Sequence, residues 1–448
     1  MQVRRRSEDV RDDGTILEFG VKMPVDNNFQ HAAYSRSDPG ERVNYLQFDP
    51  GPEPGSAAWR QTMSEAGVAL SQAGVRGVLF VHDSPFTDLF GVGRLDEVGG
   101  LKRGYSRGIP GLESLLALMR PETNGLRAAD EDLAPPFQND DRTKEILDRL
   151  TGDRGNFSFE YVRQFHQALT NDGELPIVTD RYVWSGCRYH LGRVEAALDL
   201  LEFLEGWTRP FLDHHPSRII LQAHGHAGLV VALLSNFLAK SESPTRETIF
   251  DILMQHYEAI GAEPSRLERL EAIYRQLSEG NVFKGLVLDV VTYGTPVRYG
   301  WELESLGQLL HIIYHRPIRG KGKPWLAKME LPQIAWEVPM VAGGDYVQQL
   351  AVAGTDAVPL SPDEVWANEE LRVLLEPYDG FERWLECARR GTRCHNDGQC
   401  LLIDYQVPPT LSPREHFYGH GHYTQVSTML FHTQQIVDIF LRNLASKN

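Results

Sequence analysis

A stretch near the middle of the chain combines small residues with two histidines, Ala223-His224-Gly225-His226-Ala227-Gly228. An apolar run over Arg218–Gln222 precedes it, and a helical pattern over Leu229–Leu238 follows. A strand, a tight turn and a helix in this order place the turn above the carboxyl edge of a parallel sheet, where ligands bind. In the catalytic version of this turn, small residues flank a central nucleophile because the strand and the helix approach closely. The central residue here is Gly225, so the pattern predicts a nucleophile turn without a nucleophile.

Glycine at this centre retains the turn and removes the chemistry. A non-glycine residue in the left-handed backbone region costs roughly 1–2 kcal/mol, and glycine avoids most of that cost. Glycine has no side-chain atom that could attack a carbonyl carbon. Taken alone, such a turn is more often a simple packing turn between a strand and a helix.

Four further segments carry groups suited to hydrolytic chemistry. They are His82-Asp83-Ser84-Pro85, Tyr293-Gly294-Thr295-Pro296, Gly354-Thr355-Asp356 with Val358-Pro359, and Gly419-His420-Gly421-His422-Tyr423. In this order, and together with the central turn, they resemble the lipase- and esterase-like α/β-hydrolases of bacteria, whose nucleophile turn reads A/G-H-S-H-x-G. The similarity extends over residues 75–441 and implies an α/β-hydrolase fold.

The resemblance implies an acid and a base for a hydrolytic triad. Asp356 takes the place of the acid and His420 that of the general base, in the chain order of this fold. His422 is the competing base, and Asp404 is the alternative acid. Local turn formation before Pro359 would also account for Asp356. We expect Asp345 and Arg298 to be structural.

The resemblance also implies an oxyanion hole. Its donors are the backbone N–H of His226 and one from the loop after His82, at Asp83 or Ser84. Asp83 replaces the glycine of the usual H-G pair and puts a negative charge where an oxyanion would develop. Ser84 is the only hydroxyl near this site in the sequence pattern, and a role as replacement nucleophile is disfavoured.

The remaining pattern supplies the elements that would position these groups. The predicted strands are Val78–Val81, Tyr182–Trp184, Arg218–Gln222, Gly285–Val291, Tyr346–Val352 and Cys400–Ile403. The predicted helices are Ala57–Gln72, Val194–Phe211, Leu229–Leu238 and Val426–Leu441. Their alternation predicts a doubly wound, mostly parallel sheet in a main domain over 71–448. A helical insertion over about 240–280, with two helix starts at Ser243-Pro244 and Glu263-Pro264, and an N-terminal extension over 1–70 complete the predicted α/β organisation.

Composition limits the classes of partner. The net charge of −16 over 448 residues argues against nucleic acid or an anionic membrane. We expect no membrane span and no secretory signal, because acidic residues follow the first arginines where an apolar segment would begin. Four cysteines suit reduced thiols in the cytoplasm better than a disulfide framework. We expect no metal and no cofactor; a zinc site near Cys394 and His395, or one built from the histidines of the two turns, is disfavoured.

Three functional hypotheses follow from Gly225. The chain is a catalytically silent hydrolase relative that binds a small acyl or ester-like ligand, or a partner, or it is a hydrolase that attacks with water activated by His420 and Asp356. The third hypothesis is an active serine hydrolase that carries a serine-to-glycine substitution. The first is favoured, because removal of a triad member leaves only about 10³–10⁴-fold catalysis over water.

Overall fold

The computed structural model describes residues 17–18, 21–22, 43–83, 137–153, 155–169, 176–211, 217–240, 242–280, 282–283, 285–314, 344–345, 348, 359, 361–375, 394–395, 397–405 and 419–445. The strands are β1 (Leu17–Glu18), β2 (Val21–Lys22), β3 (Val43–Gln47), β4 (Val75–Val81), β5 (Val178–Tyr182), β6 (Ser217–His224), β7 (Leu286–Tyr293), β8 (Gln308–Tyr314) and β9 (Gln399–Asp404). The helices are α1 (Ala57–Gln72), α2 (Asp141–Thr151), α3 (Phe159–Leu169), α4 (His190–Thr208), α5 (Ala227–Phe237), α6 (Pro244–Ala259), α7 (Pro264–Ser278), α8 (Pro362–Leu375) and α9 (Val426–Ala445).

In the described part of the chain, seven strands form one parallel sheet in the order β3-β9-β8-β7-β6-β4-β5, while β1 and β2 form a separate antiparallel pair. This confirms the α/β class and the parallel sheet predicted from the sequence. The chain leaves β4 toward β5 on one side and leaves β6 toward β7 on the other. Adjacent strands whose connections diverge create a crevice at their carboxyl ends. The crevice between β4 and β6 is therefore where this sheet would hold a ligand.

Helices cover both faces of the sheet. Alternate residues of a strand point toward opposite faces, so each strand contributes to two cores. Val78 and Phe80 contribute to a core with α1, α3 and α9. Leu79 and Val81 contribute to a second core with α4, α5, α6, α7 and α8. Every residue of α5 is buried, so this helix lies wholly inside the second layer.

Both helices of the 240–280 region begin at the prolines that mark their predicted starts. Ser243 accepts a hydrogen bond from the backbone N–H of Arg246 at 3.1 Å, and Pro244 stands in the first turn of α6, where its missing N–H is not needed. Pro264 also stands in the first turn of α7, but the side chain of Glu263 before it makes no capping hydrogen bond. Both predicted helices of this region are confirmed.

Several element boundaries differ from the sequence prediction. The strand predicted at Tyr182–Trp184 ends at Tyr182. Of the strand predicted over Tyr346–Val352, the structure describes only Gln348, which is helical. Strand β8 was not predicted, and β3 places part of the expected N-terminal extension at the edge of the main sheet. None of the described helices is long and apolar enough to cross a membrane.

Candidate functional site

The turn after β6 has the strand–turn–helix geometry expected from its sequence. Gly225 has φ +54°, the left-handed region that favours glycine, and α5 begins two residues later. The N–H of Gly225 donates to the carbonyl of Tyr293 on β7 at 2.8 Å, and Thr295 Oγ1 donates to the carbonyl of Gly225 at 2.9 Å. A Cβ on Gly228 would lie 2.0 Å from Thr295 Oγ1. This close approach explains the small residues around the turn.

The carboxylate of Asp83 fills the space beside Gly225. Asp83 follows β4, is 2% exposed, and accepts a hydrogen bond from the backbone N–H of His226 at its Oδ1, 2.8 Å away. A Cβ built on Gly225 would lie 2.2 Å from Asp83 Oδ2 and 2.6 Å from His420 Nε2. Asp83 thus occupies the position of a residue-225 side chain and engages the N–H that an oxyanion would require.

His420 lies between two carboxylates. Its Nε2 donates to Asp83 Oδ2 at 3.0 Å and its Nδ1 donates to Asp345 Oδ2 at 2.8 Å. Asp345 also accepts from Tyr423 Oη at 2.9 Å and from the N–H of Gln348 at 2.9 Å. All three charged side chains are buried. The imidazole is therefore oriented from both sides, and the second carboxylate is held by its own hydrogen bonds.

Glycine at position 294 permits this arrangement. Gly294 has φ +58°, and a Cβ there would lie 2.4 Å from Asp345 Oδ2 and 3.1 Å from His420 Nδ1. Any side chain at 294 would displace the contact between the acid and the histidine. The glycine of the Tyr293-Gly294-Thr295-Pro296 segment therefore has a steric role in the site.

The surrounding charges determine the protonation of this group. Burial by itself would lower the pKa of His420, but Asp345 and Asp83 outweigh it and raise that pKa to about 10. Burial would likewise raise the pKa of the Asp83 carboxyl, yet the hydrogen bond from His420 and the neighbouring histidines lower it. At neutral pH the site therefore contains an imidazolium between carboxylates, so His420 has no lone pair with which to accept a proton.

His224 completes the group. Its ring stacks on His420 with ring centroids 4.2 Å apart and an interplanar angle of 30°. Its Nε2 donates to the backbone carbonyl of His420 at 2.9 Å. Burial, with the positive charge of His420, lowers the pKa of His224 to about 3, so the ring is neutral and Nδ1 carries a lone pair. That nitrogen is buried and has no hydrogen-bond partner among the described residues.

The side chain of His226 faces a different polar group. Its Nδ1 lies 3.5 Å from an Nη2 donor of Arg193, whose Nη1 donates to Tyr299 Oη at 3.2 Å. Tyr299 Oη lies 2.8 Å from His190 Nδ1, and Arg298 Nη2 lies 3.4 Å from His190 Nε2. His226 thus serves the site through its backbone N–H, while its ring belongs to this neighbouring cluster. Arg298, expected to be structural, also lies there.

The predicted site residues divide into three groups. Gly225, Asp83, His420 and the N–H of His226 meet at one point. Ser84 and Asp356 lie outside the described residues.

Neither His422 nor Asp404 makes a bond to the ring nitrogens of His420. The ring of His422 packs on Tyr405 and Tyr314, and the carbonyl of Asp404 accepts from the N–H of Phe48. The ring nitrogens of His420 bond Asp345 and Asp83 instead.

Asp345 is the residue that sequence reasoning missed, because it was expected to be structural. In this structure its carboxylate bonds His420 Nδ1, 2.8 Å away. The available signal was its place after Gly343-Gly344, since glycines often accompany a close approach of the backbone. Gly344 does approach the histidine loop closely: a Cβ on Gly419 would lie 2.0 Å from the carbonyl oxygen of Gly344.

A second pair of stacked histidines lies elsewhere in the sheet. The rings of His311 and His395 have centroids 4.0 Å apart at an interplanar angle of 20°. Thr292 Oγ1 lies 2.6 Å from His311 Nδ1, and Trp301 Nε1 donates to His395 Nδ1 at 3.3 Å. Burial lowers the pKa of both rings, that of His395 to about 4. Cys394 and Cys400 are buried nearby, but they do not join a group with metal-ligand spacing among the described residues.

Comparisons with family models, with curated proteins and with solved structures give no match to this chain. Functional interpretation therefore depends on the geometry of the group around Gly225.

Proposed function

We propose that the chain is an α/β-hydrolase-fold, esterase-like protein whose site cannot carry out the serine-hydrolase reaction. The order of the site supports the fold assignment: the turn follows β6, an acid follows β8, and a histidine follows β9. This is the nucleophile–acid–histidine order of that fold. The observation that carries the proposal is the Asp83 carboxylate in the space beside Gly225.

Three requirements of acyl transfer fail together at this site. Position 225 offers no attacking atom. The N–H of His226, which would stabilise an oxyanion, already binds Asp83 Oδ1. His420 is held in its protonated form between Asp83 and Asp345, so it cannot take a proton from a hydroxyl group.

In this proposal the protein binds a small acyl or ester-like ligand and does not turn it over by a serine mechanism. The support is positional, since the polar group lies at the crevice between β4 and β6. A groove of about 340 Å³, lined by residues such as Leu238, Leu277 and Phe283, reaches the amino-terminal end of β7. It is remote from Gly225 and is not part of the proposed site.

Labelling by a fluorophosphonate probe tests the proposal. We expect no labelling of the wild-type chain, and little of Gly225→Ser, because the new side chain meets Asp83. The double variant G225S/D83G removes the carboxylate, frees the N–H of His226 and leaves His420 with Asp345 alone. We expect it to label at position 225, with at least about 100-fold faster ester hydrolysis than Gly225→Ser, the scale of one oxyanion donor.

The matched control is G225A/D83G, which makes the same space but supplies no hydroxyl group and should stay unlabelled. Probe labelling of the wild-type chain at any residue would overturn the proposal. So would wild-type ester turnover that disappears in Asp83→Asn, which would assign the attack to the Asp83 carboxylate.

A further inference from the structure

We propose that Asp83, His224 and His420 form a binding site for one divalent transition-metal ion, with Zn²⁺ the best match. Each residue offers one ligand atom, and these atoms all lie within 4.8 Å of one another. No other group of histidine, cysteine or acidic side chains among the described residues meets this spacing. Ligands around tetrahedral zinc lie about 3.3 Å apart, so the 3.0 Å between Asp83 Oδ2 and His420 Nε2 needs only a small expansion.

His224 provides the independent observation that points to a ligand. Its Nε2–H is used by the carbonyl of His420, which fixes the tautomer and leaves the Nδ1 lone pair unprotonated. That atom is buried and has no hydrogen-bond partner among the described residues. A buried acceptor without a partner costs free energy, and a cation at this point would satisfy it.

In each of the three ligand residues, the polar atom that would not bind the ion already makes a hydrogen bond. His420 Nδ1 donates to Asp345, which gives the carboxylate–histidine pair that commonly orients a metal-bound imidazole. Asp83 Oδ1 binds the N–H of His226, and Oδ2 of the same carboxylate lies against His420 Nε2. His224 is held by a backbone carbonyl. The site therefore has the supporting hydrogen bonds that a metal centre needs before the ion arrives.

Charge balance favours a doubly charged ion. The buried carboxylates of Asp83 and Asp345 bond the two ring nitrogens of His420. A divalent ion takes the place of the proton on His420 Nε2, the proton leaves to solvent, and the two carboxylates then balance the ion. Two imidazoles and one carboxylate suit zinc and its neighbours, whereas calcium and magnesium require mainly oxygen ligands.

This inference is independent of the hydrolase proposal, because it depends only on the contacts of the three ligands. The test uses the full-length chain stripped of metal with a chelator and dialysed against Zn²⁺, with bound zinc measured by elemental analysis and affinity by calorimetry. We expect one ion per chain with a dissociation constant in the micromolar range or tighter. His224→Phe retains an aromatic ring against His420 but removes the Nδ1 ligand atom together with the Nε2–H that donates to the His420 carbonyl, and it should weaken binding at least about 100-fold.

Two further variants make the result specific. Asp83→Asn, which is nearly isosteric, should weaken zinc binding by at least a factor of about 10. His311→Phe is the matched control: it removes a buried ring from the other stacked pair, whose described residues form no ligand cluster, and should leave stoichiometry and affinity unchanged. Absence of stoichiometric zinc in the wild-type chain would overturn the proposal. Binding that survives both His224→Phe and Asp83→Asn would do so equally, since the ion would then lie elsewhere.

Discussion

The two stacked histidine pairs have nearly the same geometry and opposite electrostatics. His224 and His420 stack at 4.2 Å, and His311 and His395 at 4.0 Å, all of them buried. Yet the pKa of His420 is raised to about 10 while that of His395 is lowered to about 4. The difference lies in the partners: two carboxylates bind His420, whereas an indole N–H donates to His395.

This comparison separates the effect of burial from that of charge. Burial favours the neutral imidazole in both pairs, as the low pKa values of His224 and His395 show. Only in the pair beside Gly225 do Asp83 and Asp345 reverse that preference. A buried charged group without a catalytic duty is costly to maintain, so its presence beside the turn marks this pair as the functional candidate.

The largest expected effect comes from breaking the charged pair at its outer carboxylate. Asp345→Asn leaves the His420 cation with one partner and replaces an acceptor that also serves Tyr423 and the N–H of Gln348. Removal of one member of a buried ion pair costs about 3–5 kcal/mol, so we expect a loss of that size in the free energy of unfolding, measured with urea. A loss below about 1 kcal/mol would contradict the assignment of charge to this pair.

A smaller, pH-dependent effect is expected in the neutral pair. Because burial holds the pKa of His395 at about 4, below its ordinary 6.5, the unfolded chain binds the extra proton first as pH falls. Stability from this residue is complete above pH 6.5 and is lost between pH 6.5 and 4, by roughly 3 kcal/mol. His395→Phe cannot titrate, so its stability relative to wild type should rise by that amount from pH 7 to pH 4.

Urea unfolding at several pH values measures this difference directly. The comparison uses the change with pH and not the absolute stability, because the Phe variant also removes the acceptor of Trp301 Nε1 at every pH. Parallel pH profiles for the two proteins would show that His395 is not held neutral in the native state.

The smallest effect is expected from a single neutral hydrogen bond in the same pair. Thr292→Val removes the hydroxyl group 2.6 Å from His311 Nδ1 and keeps the shape of the side chain. We expect a loss of about 1–2 kcal/mol in the free energy of unfolding, with no change in its pH dependence. A loss equal to that of Asp345→Asn would remove the distinction between the charged and the neutral pair.

Local sequence patterns predicted the turns and helices whose formation depends mainly on residues close in sequence. The turn at 223–228 could be read from its small residues between an apolar run and a helical pattern. The helices α6 and α7 could be read from prolines behind their capping positions. Strand β8 was missed because His311 interrupts its apolar run, although that ring is buried in the sheet.

The acid of the site could not be assigned from local pattern. Asp345 and Asp356 both follow β8 in glycine-containing segments, and only tertiary contact distinguishes them. Asp345 makes that contact with His420, whereas Asp356 is outside the described residues. Composition and spacing carry no information about which of two nearby aspartates a long connection brings back to the sheet.

The two departures from the hydrolase pattern are also coupled in a way that sequence alone did not show. The sequence indicates two unrelated features, a missing nucleophile at Gly225 and a negative charge at Asp83. In the structure the carboxylate enters the space that the missing side chain leaves, since a Cβ on Gly225 would lie 2.4 Å from Asp83 Cγ. Glycine at 225 leaves room for the carboxylate, and the carboxylate fills the space that a side chain at 225 would occupy.

The bond between Asp83 and His420 joins residues 337 positions apart. During synthesis, the strands from β4 to β8 emerge from the ribosome long before the loop that carries His420. Until then the Asp83 carboxylate lacks the hydrogen bond that it makes to His420 in the folded protein. Domains generally fold as units as the chain is made, so closure of this edge belongs to the last stage of maturation. A chain truncated before residue 420 would therefore leave the crevice between β4 and β6 hydrated, incompletely folded and accessible to chaperones and proteases.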